Sequence, residues 1–164
     1  MRTLLLMRHA KSDWTADFDT DHDRPLNDRG VRSARVMGRV LSEEGEVPDL
    51  ILTSTAVRAR TTAKLAAEAG GWDCEVVLDP RLYGSGADAV VQVAAEAPRV
   101  DRLMLVGHQP TWSILVSVLT GDQIEMKTAT VASIGFDVDD WAELASARGT
   151  VDAVYQPRDY LEDD

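Results

Sequence analysis

Short, unbroken apolar runs alternate along the chain with stretches whose apolar positions recur every three or four residues. Thr3–Met7, Leu50-Ile51-Leu52, Val76-Val77-Leu78 and Leu103-Met104-Leu105-Val106 show no polar alternation, the pattern of strands covered on both faces. Between them, Val31, Ala34, Met37, Val40 and Leu41 mark a helix opened by Asn27 as N-cap. Ala59, Ala63, Ala66 and Ala69 mark a second helix, ended by Gly70-Gly71, with Ser54 or Thr55 expected to cap its start. Val90, Val93, Ala94 and Ala97 make a third, stopped by Pro98 and capped by Asp88. Ile114, Leu115, Val118 and Leu119 make a fourth, with Pro110 near its first turn and Gly121 beyond its end. Strand runs alternating with amphipathic helices predict an α/β protein: a three-layer α/β/α sandwich around a mostly parallel central sheet.

The last third changes period. Ala132, Ile134, Phe136 and Val138 alternate with Ser133, Gly135 and Asp137, which predicts a half-exposed strand. Val151, Ala153 and Tyr155 do the same after a turn around Trp141, so an antiparallel, hairpin-like closing pair is expected. The tail Leu161-Glu162-Asp163-Asp164 is expected to fray.

At 164 residues the chain is expected to form one domain, 1–164. Its 28 acidic residues against 17 basic give a net charge of −11, which argues against nucleic acid and anionic membrane as partners. One cysteine, Cys74, excludes an internal disulfide framework and a Cys-rich zinc site, and reads as structural. The run after Met1 is too short for a signal-peptide core, and nothing approaches the ~20 apolar residues of a membrane span, so a cytoplasmic location is expected.

Against this acidic background, positive charge collects where strands end. The first strand runs into Arg8-His9, the second into Ser54-Thr55-Ala56-Val57-Arg58, and the Leu103–Val106 strand into Gly107-His108-Gln109-Pro110. In open α/β sheets ligands bind beyond the carboxyl ends of the strands. Arginines and histidines delivered to one rim beside helix N-termini form an anion site, and phosphate is the obvious anion.

Arg8-His9-Ala10-Lys11-Ser12 after strand one, Arg58 with Thr61-Thr62-Ala63, and the late Gly107-His108 together resemble the histidine phosphatase (phosphoglycerate mutase-like) superfamily. Arg24-Pro25-Leu26 with Gly30, Gly107-His108-Gln109-Pro110 and the short length are most similar to the SixA-type phosphohistidine phosphatases. The resemblance runs from Thr3 to about Pro157 and implies a phosphoglycerate mutase-like fold. It implies that His9 is a nucleophile forming a phosphohistidine intermediate, that Arg8, Arg58 and His108 hold the phosphoryl oxygens, and that Arg24 adds a phosphate contact. Physical chemistry agrees: an attacking imidazole must be neutral, and guanidinium neighbours disfavour its protonated form. Phosphoryl transfer is mostly positioning and charge neutralisation, so fixed guanidiniums can stand in for a metal.

Two departures refine the expectation. Thr15 stands where many members carry Asn, and Gly84 stands where phosphomonoesterases and mutases tend to carry a Glu that protonates the leaving alcohol. A phosphoramidate leaves as imidazole and has far less need of that acid, which favours phosphohistidine as substrate. The partner implied is a phosphohistidine-bearing protein or a small phosphorylated metabolite. Two other readings compete: a phosphomonoesterase using Asp88 or a group of the substrate as acid, and a non-catalytic phosphate-binding module. Arg24 has an alternative as well, a surface ion pair with Asp21 or Asp23. His9, His22, His108, Asp21 and Asp23 contain no helical i, i+4 ligand pair, and the arginines would repel a cation, so neither metal nor cofactor is expected. Trp14 and Trp112 lie near the rim and are expected to wall the pocket.

Overall fold

A computed structural model describes residues 1–161. Six strands form one sheet: β1 Arg2–Arg8, β2 Leu50–Thr53, β3 Glu75–Leu78, β4 Arg102–Gly107, β5 Val131–Phe136 and β6 Thr150–Tyr155, in the order β3-β2-β4-β1-β5-β6. The first four run parallel, and β5 and β6 join antiparallel at one side. The four long helices are α1 Asp28–Glu43, α2 Val57–Gly70, α3 Ala87–Ala95 and α4 Thr111–Thr120.

The unbroken apolar runs explain the layering. Successive side chains of β1 point to opposite faces. Leu4 and Leu6 therefore join a core with Val90 and Val93 of α3 and Leu115 and Leu119 of α4, while Leu5 and Met7 meet Met37 and Leu41 of α1 and Ala59 and Ala63 of α2. Each buried aliphatic side chain contributes on the order of 1.5–3 kcal/mol, and the two-sided core secures the rim that β1 and β4 present. On the second face α1 and α2 pack very closely. A Cβ on Gly38 would stand 2.0 Å from the Ala66 carbonyl oxygen, so only glycine lets the helices meet there.

Three sequence expectations change. Val76 and Leu78 belong to β3, which is the edge of the sheet and largely exposed rather than covered on both faces. Conversely β5 is buried along its whole length, because β6 pairs outside it and both cores reach it. The polar member of its alternation is satisfied inside: Ser133 donates to Glu46 Oε1 at 2.9 Å. The caps differ too. Asn27 caps α1 by accepting from Gly30 N–H, as expected, but Ala56 precedes α2 and Gly86 precedes α3, neither with a side-chain cap. Of the expected frayed tail, residues 162–164 lie outside the described residues. Among the described residues, no helix is long and apolar enough to cross a membrane.

Candidate active site

The parallel register of β1 and β4 sets Arg8 beside Gly107, so His9 and His108 leave the sheet side by side. His9 N–H donates to Gly107 O at 3.0 Å and the ring centroids lie 5.2 Å apart. The backbone around His9 is pinned on both sides. Ala10 N–H donates to Thr62 Oγ1 at 2.9 Å, and Ala129 N–H donates to His9 O at 3.1 Å. Thr62 in turn donates to Arg58 O at 2.7 Å, which ties the first turn of α2 to the same loop.

The His9 ring is 6% exposed, and its Nδ1 lies 2.7 Å from Ala10 O. A carbonyl oxygen only accepts, so Nδ1 carries the proton and Nε2 keeps its lone pair. Burial, then the nearby His108, Arg58 and Arg8, lower the His9 pKa to about 3, although the Ala10 carbonyl pulls the other way. The imidazole is therefore neutral and basic at one nitrogen at neutral pH. His108 is lowered to about 4 by burial and by Arg58. Its Nε2 meets Ser54 Oγ at 2.8 Å, and the same hydroxyl accepts from Ala56 N–H at 3.2 Å. Ser54 thus orients His108 rather than capping α2 with its side chain.

Arg8, His9, Arg24, Arg58 and His108, the five site residues expected from sequence, all line one open cavity of about 510 Å³. Arg24 and Arg58 are each 5% exposed. Arg8 Nε and Arg58 Nε are buried without a hydrogen-bond partner among the described residues, a costly arrangement that an oxyanion in the cavity would relieve. Arg24 is a wall of the cavity, not a surface residue: its Nε donates to Ser12 Oγ at 2.9 Å and its guanidinium lies 3.6 Å over the Trp14 ring.

Asp21 was legible only as a surface partner of Arg24, and it is the residue that sequence reasoning undervalued. Its carboxylate accepts from Arg24 Nη1, from Arg58 Nη2 at 2.9 Å and from the Tyr83 hydroxyl at 2.9 Å, while its backbone carbonyl accepts from Arg58 Nη1 at 2.7 Å. Burial pushes its pKa up, but the Tyr83 hydroxyl and the two guanidiniums outweigh that and hold it at about 2. A clue in the sequence was the i, i+3 spacing of Asp21 and Arg24.

Other expectations move. Asp88 does not line this cavity but a different one, with Val91 and Ala147. Trp14 walls the site as expected, but Trp112 is buried in the core, its indole N–H donating to Leu105 O at 3.3 Å. Thr15 bonds Asp13 at 2.7 Å and does not line the cavity. Gly84 does line it, at φ +75°, in the left-handed region that a side chain disfavours. Among the described residues no cluster of three or more His, Cys, Asp or Glu side chains could hold a metal.

The chain that carries this guanidinium-rimmed, open cavity has known relatives in sequence and fold. The family model of the histidine phosphatase superfamily (branch 1) matches residues 4–84. The structure of a putative phosphohistidine phosphatase SixA from Nakamurella multipartitia is 32% identical, covers 95% of this chain and 96% of its own, and superposes with a TM-score of 0.79. The chain belongs to the histidine phosphatase superfamily. A second putative SixA structure, from Agrobacterium tumefaciens, is 26% identical over 95% of this chain and 98% of its own, with a TM-score of 0.82. An uncharacterized chloroplastic protein of Arabidopsis thaliana is 32% identical over 158 residues, which span 90% of this chain and 72% of that protein. The mixed six-stranded sheet with helices on both faces is the phosphoglycerate mutase-like fold of this superfamily. Membership and these neighbours support phosphatase chemistry for the chain.

Proposed function

We propose that the protein is a metal-independent phosphatase that uses His9 as nucleophile and acts on phosphohistidine. The observation that carries this reading is the hydrogen bond from His9 Nδ1 to Ala10 O, within a ring of guanidiniums. It leaves Nε2 with a lone pair, so the ring can attack phosphorus without first losing a proton. As the Nε2–P bond forms, the P–N bond of the substrate breaks, and the departing imidazole takes a proton from solvent. Water then attacks the phosphoryl group, the bond to Nε2 breaks, and inorganic phosphate leaves. Arg8 and Arg58 neutralise and hold the equatorial oxygens through both steps, the neutral His108 donates a hydrogen bond to another, and Arg24 stands at the outer wall.

Among the described residues Asp21 is the one carboxylate that lines the cavity, and its ionised state supports phosphohistidine over an alkyl phosphate. Asp88 lines a different cavity, and Asp21, which lines this one, ionises well below neutral pH. An alkoxide needs a protonated group at departure, an effect worth about 10²–10⁴ in rate, whereas imidazole leaves readily.

Assays of chelator-treated protein with a phosphohistidine peptide and a panel of phosphomonoesters test the proposal, alongside His9→Ala. Wild type should prefer the phosphoramidate, EDTA should change nothing, and His9→Ala should lose turnover while still binding phosphate. Equal activity of wild type and His9→Ala overturns the mechanism. Faster turnover of a sugar phosphate overturns only the substrate.

A further inference from the structure

A second cavity, of about 130 Å³, adjoins the first, and Lys11 and Thr128 line both. Its wall carries four cationic side chains, Lys11, Arg29, Lys127 and Arg158, and no carboxylate among the described residues, in a chain of net charge −11. Two buried polar atoms at this wall have no hydrogen-bond partner among the described residues. Thr130 is fully buried with its Oγ1 unsatisfied, and the same holds for Gln156 Oε1. A buried, unpaired polar group costs about 1–3 kcal/mol, so native proteins rarely leave one without a use. The Thr130 hydroxyl can donate to an anion, and turning over the Gln156 amide end presents two further N–H donors.

The turn that carries Lys127 and Thr130 is fixed to the nucleophile's loop by backbone. Arg8 N–H donates to Thr130 O at 3.1 Å and Ala129 N–H to His9 O at 3.1 Å. Any group held in the second cavity therefore sits in a set relation to phosphorus in the first. Since a water occupies about 30 Å³ of liquid, a cavity of about 130 Å³ has room for a carboxylate or a phosphate head.

We infer that this cavity is a second oxyanion subsite, which takes a carboxylate or phosphate carried by the substrate in addition to its transferred phosphoryl group. The inference deepens the phosphatase reading and rests on it for the word substrate. A ligand of this kind comes either from an acidic residue beside phosphohistidine in a polypeptide or from a second acidic group on a small phosphorylated molecule.

Two measurements test it. In the first, inorganic phosphate is titrated into the protein and backbone amides are followed by NMR, with Lys127→Ala/Arg158→Ala and Thr130→Val as variants. The amides of Thr130 and Gln156 should shift in wild type and stay still in the double variant, while those of the His9 loop shift in both. In the second, KM and kcat are compared for a phosphohistidine peptide flanked by Glu or by Ala, and for free phosphohistidine against phosphoimidazole. The acidic member of one pair should have a KM lower by about tenfold, the scale of one charged hydrogen bond, with kcat unchanged and the gap closed in the double variant. A gap in the peptide pair assigns the polypeptide source, and a gap in the small-molecule pair assigns the metabolite source. Thr130 and Gln156 amides indifferent to phosphate overturn the inference, as does turnover with no KM gap in either pair or a gap that survives the double variant. If nothing is turned over yet phosphate shifts these amides through Lys127 and Arg158, the anion site stands and the phosphatase reading falls.

Discussion

Keeping two imidazoles neutral inside the fold makes stability depend on pH in a calculable way. His9 and His108 would titrate near 6.5 in the unfolded chain but near 3 and 4 in the folded one. Below 6.5 the unfolded chain takes up protons that the folded protein refuses, so acid favours unfolding. The loss begins near pH 6.5, grows as pH falls, and stops for each group only once its folded-state value is passed. At pH 5 the unfolded imidazoles are almost fully protonated and the folded ones almost fully neutral, which amounts to about 2 kcal/mol for each residue and about 4 kcal/mol for both. That is a large share of the ~5–15 kcal/mol typical of a domain. Urea unfolding followed by tryptophan fluorescence at pH 8 and pH 5 measures it, with Trp112 and Trp141 as buried reporters. The His9→Asn/His108→Asn double variant should lose about 4 kcal/mol of the wild-type difference between the two pH values, whatever its absolute stability. Comparing differences removes the packing cost of the substitutions themselves. Parallel pH curves for wild type and double variant would refute the claim that both rings are held neutral.

Two substitutions probe the site and the scaffold separately. Gly84→Glu sets a carboxyl at the cavity rim, where a Cβ meets nothing within 4 Å. It should raise turnover of an alkyl phosphomonoester toward the ~10²-fold lower end of acid catalysis, at about 1–2 kcal/mol of stability for the left-handed backbone. An unchanged phosphomonoester rate, measured with p-nitrobenzyl phosphate or a similar alkyl ester, contradicts the assignment of the missing acid. Gly38→Ala forces α1 off the Ala66 carbonyl, and overpacking of this kind costs about 1–3 kcal/mol, more than the helix propensity of alanine returns. Its urea midpoint should fall, and a rise would show that the helices have room.

Much of this was written in residue order. Continuous apolar runs at β1, β2 and β4 and the helical spacing from Val31 to Leu41 reflect burial on both faces or on one, which is a local property of pattern. The same reasoning misplaced β3 and β5. Val76-Val77-Leu78 carries the apolar signal of a central strand but lies at the edge, and the order of strands in a sheet leaves no trace in their composition. Ser133 looks like a solvent-facing residue until the distant Glu46 supplies its partner. At the site, His9, Arg8, Arg58 and His108 were legible because each ends or follows a strand, so topology alone gathers them. Asp21 was legible only through Arg24, three residues on, because its importance comes from joining that neighbour to Arg58 and Tyr83, which lie far along the chain. The second cavity was likewise invisible, since it joins the start of α1, the turn before β5 and the segment after β6.

The carboxylate of Asp21 spans Arg24 and Arg58. In the proposed reaction an incoming phosphoryl group meets guanidiniums that have an occupant of their own, and must share them or displace it. Free phosphate, the end product, faces the same rival and gains less from staying. A hydrolase that clasped inorganic phosphate with all its arginines unopposed would stall after each cycle; a resident negative charge keeps the exit as open as the entrance.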